Sequence, residues 1–434
     1  MASQVSQRPR AQQRPTHVRY WVVVFAIALA VITYIDRVCI SLAAPYITAD
    51  LKLTEVQMGY AFSAFAWAYA LFEVPGGFLG DWMGARRVLL RIVLWWSFFT
   101  AATGWAWSFF SLTVTRFLFG AGEAGCFPNL TKTFTIWLPH HERVRAQAIM
   151  WLSARWGGAF TPPLVYLVFQ LMSWRHAFEV FGSIGILWAA FFCRWYRDHP
   201  RENSSLNAAE RELLRPNEGL AGAHAHVPWR KFARSPQVWL LCAQYFCLSY
   251  GWYFYITWLP TYLKRSRGLN LGESAVLGIL PLFLGGLGSF FSGFISAPII
   301  RATGSVVKTR RLLAYLGFSG ASLLLVLSTR MHDPVLAMIT MGLASFCNDL
   351  VMPGAWGACM DVGGKYAGTL SGTMNMMGNF GGAVSPTVIG YILKWSHDNW
   401  GITFYVSAAV YVLGILFWRF LDPVTPLEAN PVAE

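Results

Sequence analysis

Apolar stretches recur along the whole chain, from about residue 20 to residue 420, and most are roughly 20 residues long. A stretch of that length, wound as an α-helix, crosses the hydrocarbon core of a bilayer. Only 13% of the 434 residues are charged and 55% are hydrophobic, whereas a soluble domain has about 25% charged residues. The chain is therefore predicted to be an all-α membrane protein.

Polar, proline and glycine breaks divide these stretches into twelve predicted transmembrane helices, six before and six after a long polar loop. Their bounds are 20–46, 58–78, 88–107, 109–131, 146–169, 174–196, 236–262, 275–300, 312–328, 334–356, 368–394 and 400–420. The predicted organisation is a tail at 1–19, an N-terminal half at 20–196, an inter-half loop at 197–235, a C-terminal half at 236–420 and a tail at 421–434. The mixed-charge sequence AAERELL predicts a short surface helix in the inter-half loop.

The distribution of Lys and Arg predicts the orientation. Of 34 such residues, 24 fall on the side of the termini and 7 on the opposite side. Because basic loops stay in the cytoplasm, both termini are predicted to be cytoplasmic, in the inner (cytoplasmic) membrane of a cell. The net charge of +13 then reflects basic cytoplasmic loops; the expected surroundings are a lipid bilayer, and no nucleic-acid partner is expected. The seven cysteines show no CxxC spacing, so no metal site is predicted.

A short internal repeat indicates that the halves are pseudo-symmetric. The sequence Gly157–Pro162 in the fifth span is echoed by Gly381–Pro386 in the eleventh span, 224 residues later. A parallel duplication produces such an offset, although small residues and proline are also common in packed membrane helices.

The same offset relates polar residues of the two halves. It makes Arg155 the mate of Asn379 and Trp151 the mate of Asn375, and all four are predicted to line a central cavity. Arg155 is expected to face a substrate from one side and Asn379 from the other. The alternative is that Arg155 pairs with Glu123 or Glu179 and only holds helices together.

Charged residues inside the spans point to an ion pathway, because each costs at least about 2.5 kcal/mol there. Arg37, Arg116 and Arg155 against Asp36 and Glu123 give the predicted cavity a net charge of +1. Protonation of both acids makes it +3, so protons should strengthen anion binding, and an anion should favour protonation. Permanent salt bridges of Asp36 or Glu123 remain the alternative.

Three further acids are weaker candidates. Asp349 belongs either to the coupling path or to a helix distortion near Pro353. Glu73 and Glu179 are interpreted as structural residues near helix ends, from which long side chains reach water.

Several motifs resemble a known family. They are Gly77–Arg87 between spans 2 and 3, Tyr34–Arg37, Pro75–Gly77, Arg116–Ala124 with Phe127–Asn129, Thr257–Tyr262, and Asn375–Gly382 with Ser385–Pro386 and Gly390–Tyr391. The first is similar to the signature G-x-L-x-D-[RK]-x-G-[RK]-[RK] of the major facilitator superfamily, with Trp82 in a basic position. Together they resemble its anion:cation symporter family, which includes bacterial hexuronate, galactonate and glucarate permeases and sialin-type carriers.

The resemblance implies an alternating-access carrier of organic anions, with the two-half, twelve-helix major facilitator fold. By matching position it implies that Asp36 and Glu123 bind protons and that Arg37 and Arg116 serve the substrate carboxylate or a gating network. It also implies a substrate site lined by Tyr34, Tyr69 and Asn379, and a cytoplasmic latch of Asp81, Arg86 and Arg87. Glu73 stands where an uncharged polar residue is expected.

Other classes of function lack their motifs. The sequence contains no HExxH, GxSxG or GxxxxGK[ST], so neither a membrane enzyme nor an ATP-driven pump is indicated. The predicted function is import of a small organic anion, such as a hexuronate or aldonate, by proton symport through a monomer without cofactors. The alternatives are an exchanger or uniporter for aromatic or dicarboxylic acids and, with less support, a cation or drug carrier.

Overall fold

The computed structural model describes residues 14–220, 227–269 and 271–428, and within these ranges it contains helices and no β-strand. The first part of the chain forms α1 (Trp21–Asp50), α2 (Glu55–Met83), α3 (Ala85–Gly104), α4 (Phe109–Glu123), α5 (Cys126–Trp137), α6 (His140–Leu171) and α7 (Trp174–Trp195). The connecting segment contains α8 (Ala208–Leu214) and α9 (Trp229–Arg234). The remainder forms α10 (Pro236–Thr257), α11 (Leu259–Arg267), α12 (Leu271–Leu277), α13 (Ile279–Thr303), α14 (Val306–Ser328), α15 (Pro334–Gly363), α16 (Ala367–Trp395) and α17 (Trp400–Phe420).

The predicted all-α fold is confirmed, and each predicted span falls on one or two of these helices. Within the described residues, six helical stretches are long and apolar enough to cross a membrane by length and composition alone. They are Val18–Asp50, Trp174–Trp195, Ile279–Thr303, Val306–Ser328, Pro334–Trp395 and Trp400–Phe420. The other predicted spans fall on helices that are less apolar or interrupted. The surface helix predicted at AAERELL is α8 and is also confirmed.

The fourth predicted span is broken between α4 and α5. Ala124 is extended and Gly125 adopts a left-handed conformation with φ +84°, which glycine tolerates without steric cost. A Cβ on Gly125 would lie 2.6 Å from the Cα of Gly76 in α2. The break therefore lets α2 approach the backbone closely, and it leaves the Gly125 amide outside the regular helical ladder.

Helix packing recurs with a shift of six spans. In the N-terminal half α1 packs on α6, α2 on α4, and α3 on α7; in the C-terminal half α10 packs on α16, α13 on α15, and α14 on α17. The halves meet through α2 against α16 and through α6 against α13, which are also equivalent pairs. This arrangement is the pseudo-symmetry expected of a duplicated six-helix unit.

Small residues let the halves approach closely along both of these pairs. A Cβ on Gly77 would lie 2.2 Å from the carbonyl oxygen of Gly368, and one on Gly293 would lie 2.2 Å from the Cβ of Ala148. Such close approach is typical of glycine at membrane helix interfaces. The contacts extend to the end of α2 that carries Asp81. The path between the halves is therefore closed at that end.

Candidate functional site

Arg37 and Glu123 form an ion pair near the middle of the first half. The Nε of Arg37 donates to Oε1 of Glu123 at 2.5 Å, and the guanidinium lies 4.3 Å from the ring centre of Tyr69 and 5.8 Å from that of Tyr34. Glu123 is buried, whereas the Arg37 side chain keeps 21% exposure deep within α1. The pair therefore keeps partial exposure deep among the helices, and aromatic rings favour the cation there.

Atoms of this pair remain available for a ligand. Among the described residues, neither Nη2 of Arg37 nor Oε2 of Glu123 has a hydrogen-bond partner, although both are buried. Buried polar groups are ordinarily satisfied, and a guanidinium binds a carboxylate through two donors. Arg37 can thus accept an anion, and Glu123 can accept a proton.

Asp36 and Arg116 lie deeper in the same half and are buried, with 1% and 2% exposure. They interact electrostatically, but they form no ion pair within 4.0 Å. In the described part of the chain, neither Asp36 oxygen accepts a well-formed hydrogen bond, and Nε and Nη1 of Arg116 donate none. The Arg116 guanidinium instead lies 4.3 Å from the ring centre of Phe119. Unpaired buried charges cost free energy. A proton on Asp36, or a rearrangement of the two side chains, would lower that cost.

Glu73 is buried in the contact between the halves. Its Oε1 accepts a hydrogen bond from Nδ2 of Asn375 at 2.7 Å, and its Oε2 accepts one from the Gly125 amide at 3.3 Å. The prediction that Glu73 lies near a helix end is wrong, because α2 continues for another two to three turns to Met83. The polar sequence after Glu73 ends the apolar run but does not end the helix.

Asn375 and Asn379 of α16 extend this polar line into the second half. Nδ2 of Asn375 also faces the Tyr69 hydroxyl at 3.5 Å, and Nδ2 of Asn379 donates to the Asn375 carbonyl at 3.0 Å. Tyr253 of α10 donates its hydroxyl to Oδ1 of Asn379 at 3.1 Å. Sequence reasoning missed Tyr253, since one tyrosine among several in an aromatic span carries no distinguishing signal.

Arg155 forms an ion pair across the halves. Its Nε and Nη2 donate to the two oxygens of Asp349 at 2.7 and 3.1 Å, and its guanidinium lies 4.0 Å from the ring centre of Trp252. Asn348 donates to the same carboxylate at 2.9 Å. The alternative partners considered from the sequence, Glu123 and Glu179, are wrong. Glu179 instead accepts a hydrogen bond from Trp105 and contacts His176 at the surface.

A row of aromatic rings underlies these groups. Phe127 stacks on Trp151 with 4.7 Å between ring centres, Trp151 contacts Trp356 of the second half at 5.3 Å, and Trp356 contacts Tyr245 at 5.8 Å. Trp151, predicted to face the cavity, therefore lies in a ring layer that crosses from one half to the other.

Asp81 joins the two halves at the closed end. It accepts hydrogen bonds from Lys132 Nζ at 2.7 Å, from the amides of Gly368 at 3.2 Å and Thr369 at 2.6 Å, and from the Thr369 hydroxyl at 2.6 Å. The carboxylate thus caps the first turn of α16 from the opposite half, where the helix dipole favours negative charge. Lys132 was missed because the fourth predicted span ended at residue 131, whereas α5 runs to Trp137.

The two arginines predicted to act with Asp81 lie elsewhere. The Arg86 guanidinium donates to the Cys193 carbonyl at 2.6 Å, its amide donates to Asp198 at 2.9 Å, and Arg87 is exposed. Burial raises the pKa of Asp198, and the hydrogen bond from Arg86 opposes that rise. Arg86 and Asp198 therefore stabilise the first half internally.

A second ionic cluster lies at the same end of the molecule. Asp361 of α15 receives Arg310 at 2.6 Å from its own half and faces Arg143 at 3.7 Å and His140 at 2.9 Å from the other half. Together with the hydrogen bonds that Asp81 accepts from α16, this cluster connects the two halves at the closed end.

The structure changes the charge count of the site. Three guanidiniums (Arg37, Arg116 and Arg155) share the interior with four carboxylates (Asp36, Glu73, Glu123 and Asp349). With every group ionised the net charge is −1, not the +1 expected without Glu73 and Asp349. Among the described residues, no group of three or more His, Cys, Asp or Glu side chains is arranged to hold a metal ion.

Two pseudo-symmetric helical halves with buried charged residues between and within them are the architecture of a multi-pass membrane transporter. Residues 26–386 match the model of the Major Facilitator Superfamily, and the chain belongs to that superfamily. It is therefore a transporter and not an enzyme.

Relatives named as anion carriers agree with the predicted family. The chain is 36% identical to a probable sulfoacetate transporter of Cupriavidus necator, over 92% of each chain. It is 28% identical to a probable galactarate/D-glucarate transporter of Escherichia coli over 99% of each chain. It is 27% identical to a hexuronate transporter of Bacillus subtilis, over 95% of this chain and 97% of the relative.

Solved structures show the same fold at low sequence identity. A proton:xylose symporter matches with a TM-score of 0.73 and 13% identity, over 95% of this chain and 98% of that one. An Escherichia coli fucose:proton symporter matches with a TM-score of 0.71 and 15% identity, over 93% and 99% of the respective chains.

Proposed function

We propose that this protein imports a small organic anion together with protons by alternating access. The observation that carries the proposal is the Arg37–Glu123 pair, in which Arg37 is partly exposed and each partner keeps one buried polar atom, a guanidinium nitrogen and a carboxylate oxygen, without a hydrogen bond. One group is matched to an anion and the other to a proton. Arg116 and Asp36, also with unpartnered atoms, supply a second set of the same kind.

The charge of the cavity supports coupling to protons. An anion entering a site of net charge −1 meets repulsion, which is strong where water is scarce. Protons on Asp36 and Glu123 change the net charge to +1, and a monoanion then makes the site neutral. Binding of the anion and of the protons must favour each other to the same degree.

The proposed substrate is a small acid with hydroxyl groups or a second anionic group. Arg37 receives its carboxylate, while Tyr34, Tyr69, Asn375 and Asn379 offer hydroxyl and amide groups from both halves. Relatives named for galactarate or glucarate, hexuronate and sulfoacetate support this class, with sugar acids as the first candidates and sulfoacetate as the second. In this arrangement Arg155 acts through its pair with Asp349 at the edge of the site.

The proposed cycle opens and closes the two ends of the path in turn. Asp81 and Lys132 hold the present closed end, and Arg86 supports that end from within the first half. The distribution of Lys and Arg supports a cytoplasmic location for this end and for both termini. The carrier is proposed to work as a monomer in the cytoplasmic membrane, since each monomer contains both halves.

The test is to record external pH with an electrode over energy-depleted cells that express the carrier, while candidate anions are added. The panel contains glucarate, galactonate, a hexuronate and sulfoacetate. One or more compounds should cause alkalinisation, which Glu123→Gln abolishes and which the exposed-site control Glu179→Gln leaves intact. Uptake of labelled anion without any pH change would contradict proton symport and indicate an exchanger or uniporter.

A further inference from the structure

We propose that Glu73 is a third proton-binding carboxylate of the transport cycle and that its proton frees the Asn375 amide for the substrate. The inference rests on the proposed anion and proton symport and adds a residue that the family motifs leave out. Its basis is the position of Glu73 in the contact between the halves, with a hydrogen-bond donor on each carboxylate oxygen.

Glu73 connects three parts of the molecule. It belongs to α2, it accepts from Asn375 of α16 in the other half, and it accepts from the Gly125 amide at the break between α4 and α5. Glu123, the ion-pair partner of Arg37, lies two residues before Gly125. The side chain therefore links the proposed proton and anion site of one half to the amide pair of the other.

Among the described residues, one cation interacts with Glu73. The charged or titratable groups that interact with Glu73 from the packed helices are Arg37 of α1, Tyr69 of its own helix, Cys126 of α5 and Tyr253 of α10. Arg37 is already paired with Glu123. Glu73 is fully buried and forms no ion pair of its own among the described residues, so a proton is the simplest means of neutralising it.

The hydrogen bonds show what a proton on Oε1 would change. In the present arrangement Nδ2 of Asn375 donates to Oε1, so this oxygen acts as an acceptor. A protonated Oε1 is a donor and would face another donor. Asn375 must then turn its amide to present Oδ1 to Glu73, and its NH₂ group turns away from α2 and becomes available to an anion.

The same step weakens the connection between the halves. The bond from Asn375 to Glu73 lies where α2 and α16 pack so closely that a Cβ on Gly372 would lie 2.8 Å from the Glu73 carbonyl oxygen. A charge-assisted bond is about twice as strong as a neutral one. Protonation therefore replaces a strong inter-half bond by a weaker one when the substrate requires the amide.

The charge count gives Glu73 a defined place in the cycle. With Asp36 and Glu123 protonated, the site is neutral when a monoanion binds and carries −1 when a dianion binds. A third proton on Glu73 makes the dianion complex neutral. The carrier should therefore move one more proton per dianion than Asp36 and Glu123 can supply. Each proton is taken up on one side of the membrane and released on the other.

The test measures the proton to substrate ratio in proteoliposomes, from the substrate gradient that balances an imposed pH gradient at zero net flux. A dianion that passes the uptake panel is used with wild type, Glu73→Gln and the exposed-site control Glu179→Gln. The ratio should fall by one proton in Glu73→Gln and stay unchanged in Glu179→Gln. Because the ratio is an equilibrium quantity, slow transport by a variant does not alter it.

The outcomes separate this inference from the proposed function. An unchanged ratio in Glu73→Gln, with proton coupling in wild type, would overturn the role of Glu73 alone. A wild type that moves no protons would overturn the proposed symport itself. If Glu73→Gln does not fold, the neutral Glu73→Met variant, of similar length, takes its place with the same expected loss of one proton.

Discussion

Replacing Asp81 by asparagine should open the end of the path that is closed in this structure. The Asp81 carboxylate accepts hydrogen bonds from Lys132 of its own half and from Gly368 and Thr369 of the other half. Asp81→Asn preserves the shape of the side chain and one acceptor oxygen. It removes the negative charge that faces both Lys132 and the first turn of α16.

The magnitude follows from these contacts. Asp81 accepts three hydrogen bonds from Gly368 and Thr369 of the other half, which only the closed form makes. A hydrogen bond to a charged group contributes about 1.5 to 3 kcal/mol, and asparagine retains one acceptor oxygen, so we take about 3 kcal/mol in total. Lys132 also keeps its bond to the Lys365 carbonyl at 2.9 Å. A loss of about 3 kcal/mol in the closed form alone shifts the equilibrium between closed and open forms by a factor of about 100.

The assay is double electron–electron resonance between spin labels on this end of the two halves. The exposed positions Arg87 of α3 and Lys308 of α14 carry the labels, in a background without the native cysteines. Asp81→Asn should add a longer distance component that is minor or absent in the parent protein. The matched control is Asp198→Asn, because Asp198 caps Arg86 within the same half and its loss should leave the distances unchanged.

An unchanged distance distribution in folded Asp81→Asn would refute the reasoning. It would mean that backbone packing between α2 and α16 holds this end closed without the carboxylate. A new long component in Asp198→Asn as well would show that any lost acid at this end loosens the protein.

Two further predictions concern stability. Asp349→Asn leaves Arg155 buried without a charged partner, so the apparent melting temperature should fall by several degrees. The double variant Arg155→Met with Asp349→Leu should recover part of that loss. A double variant less stable than the single one would contradict this prediction. The second prediction concerns Glu428, which accepts hydrogen bonds from Lys365 and Tyr366; the bond from Lys365 lowers the pKa of Glu428. The contact should therefore persist above the ordinary carboxylate pKa and be lost as pH falls through the lowered value. The test is proteolytic release of the segment that follows α17, measured against pH, with Glu428→Gln as control. Release should increase only at acid pH in wild type and at every pH in the variant.

The helices and their order were predictable from the sequence because bilayer thickness fixes the length of an apolar run. The ends of the helices were not, since a helix continues into the polar headgroup region after the apolar run stops. Two errors have this origin. Glu73 was assigned to a helix end although α2 runs to Met83, and Lys132 was assigned to a loop although α5 runs to Trp137.

The residues of the candidate site were easier to identify than their partners. The cost of burying charge singled out Arg37, Arg116 and Arg155, and the structure brings Arg37 to Glu123. The partner of Arg155 could not be obtained from the repeat, because the offset relates equivalent positions and does not specify contacts between the halves. Asp349 joins Arg155 only because α15 packs against α6.

The central claim is that a site with three guanidiniums and four carboxylates binds its anion by taking up protons. The most direct measurement is isothermal titration of the purified protein with the transported anion, at one pH in two buffers of different ionisation enthalpy. The account predicts net proton uptake on binding, reduced in Glu123→Gln. Equal heats in both buffers would mean that no protons accompany the anion, and would contradict the claim.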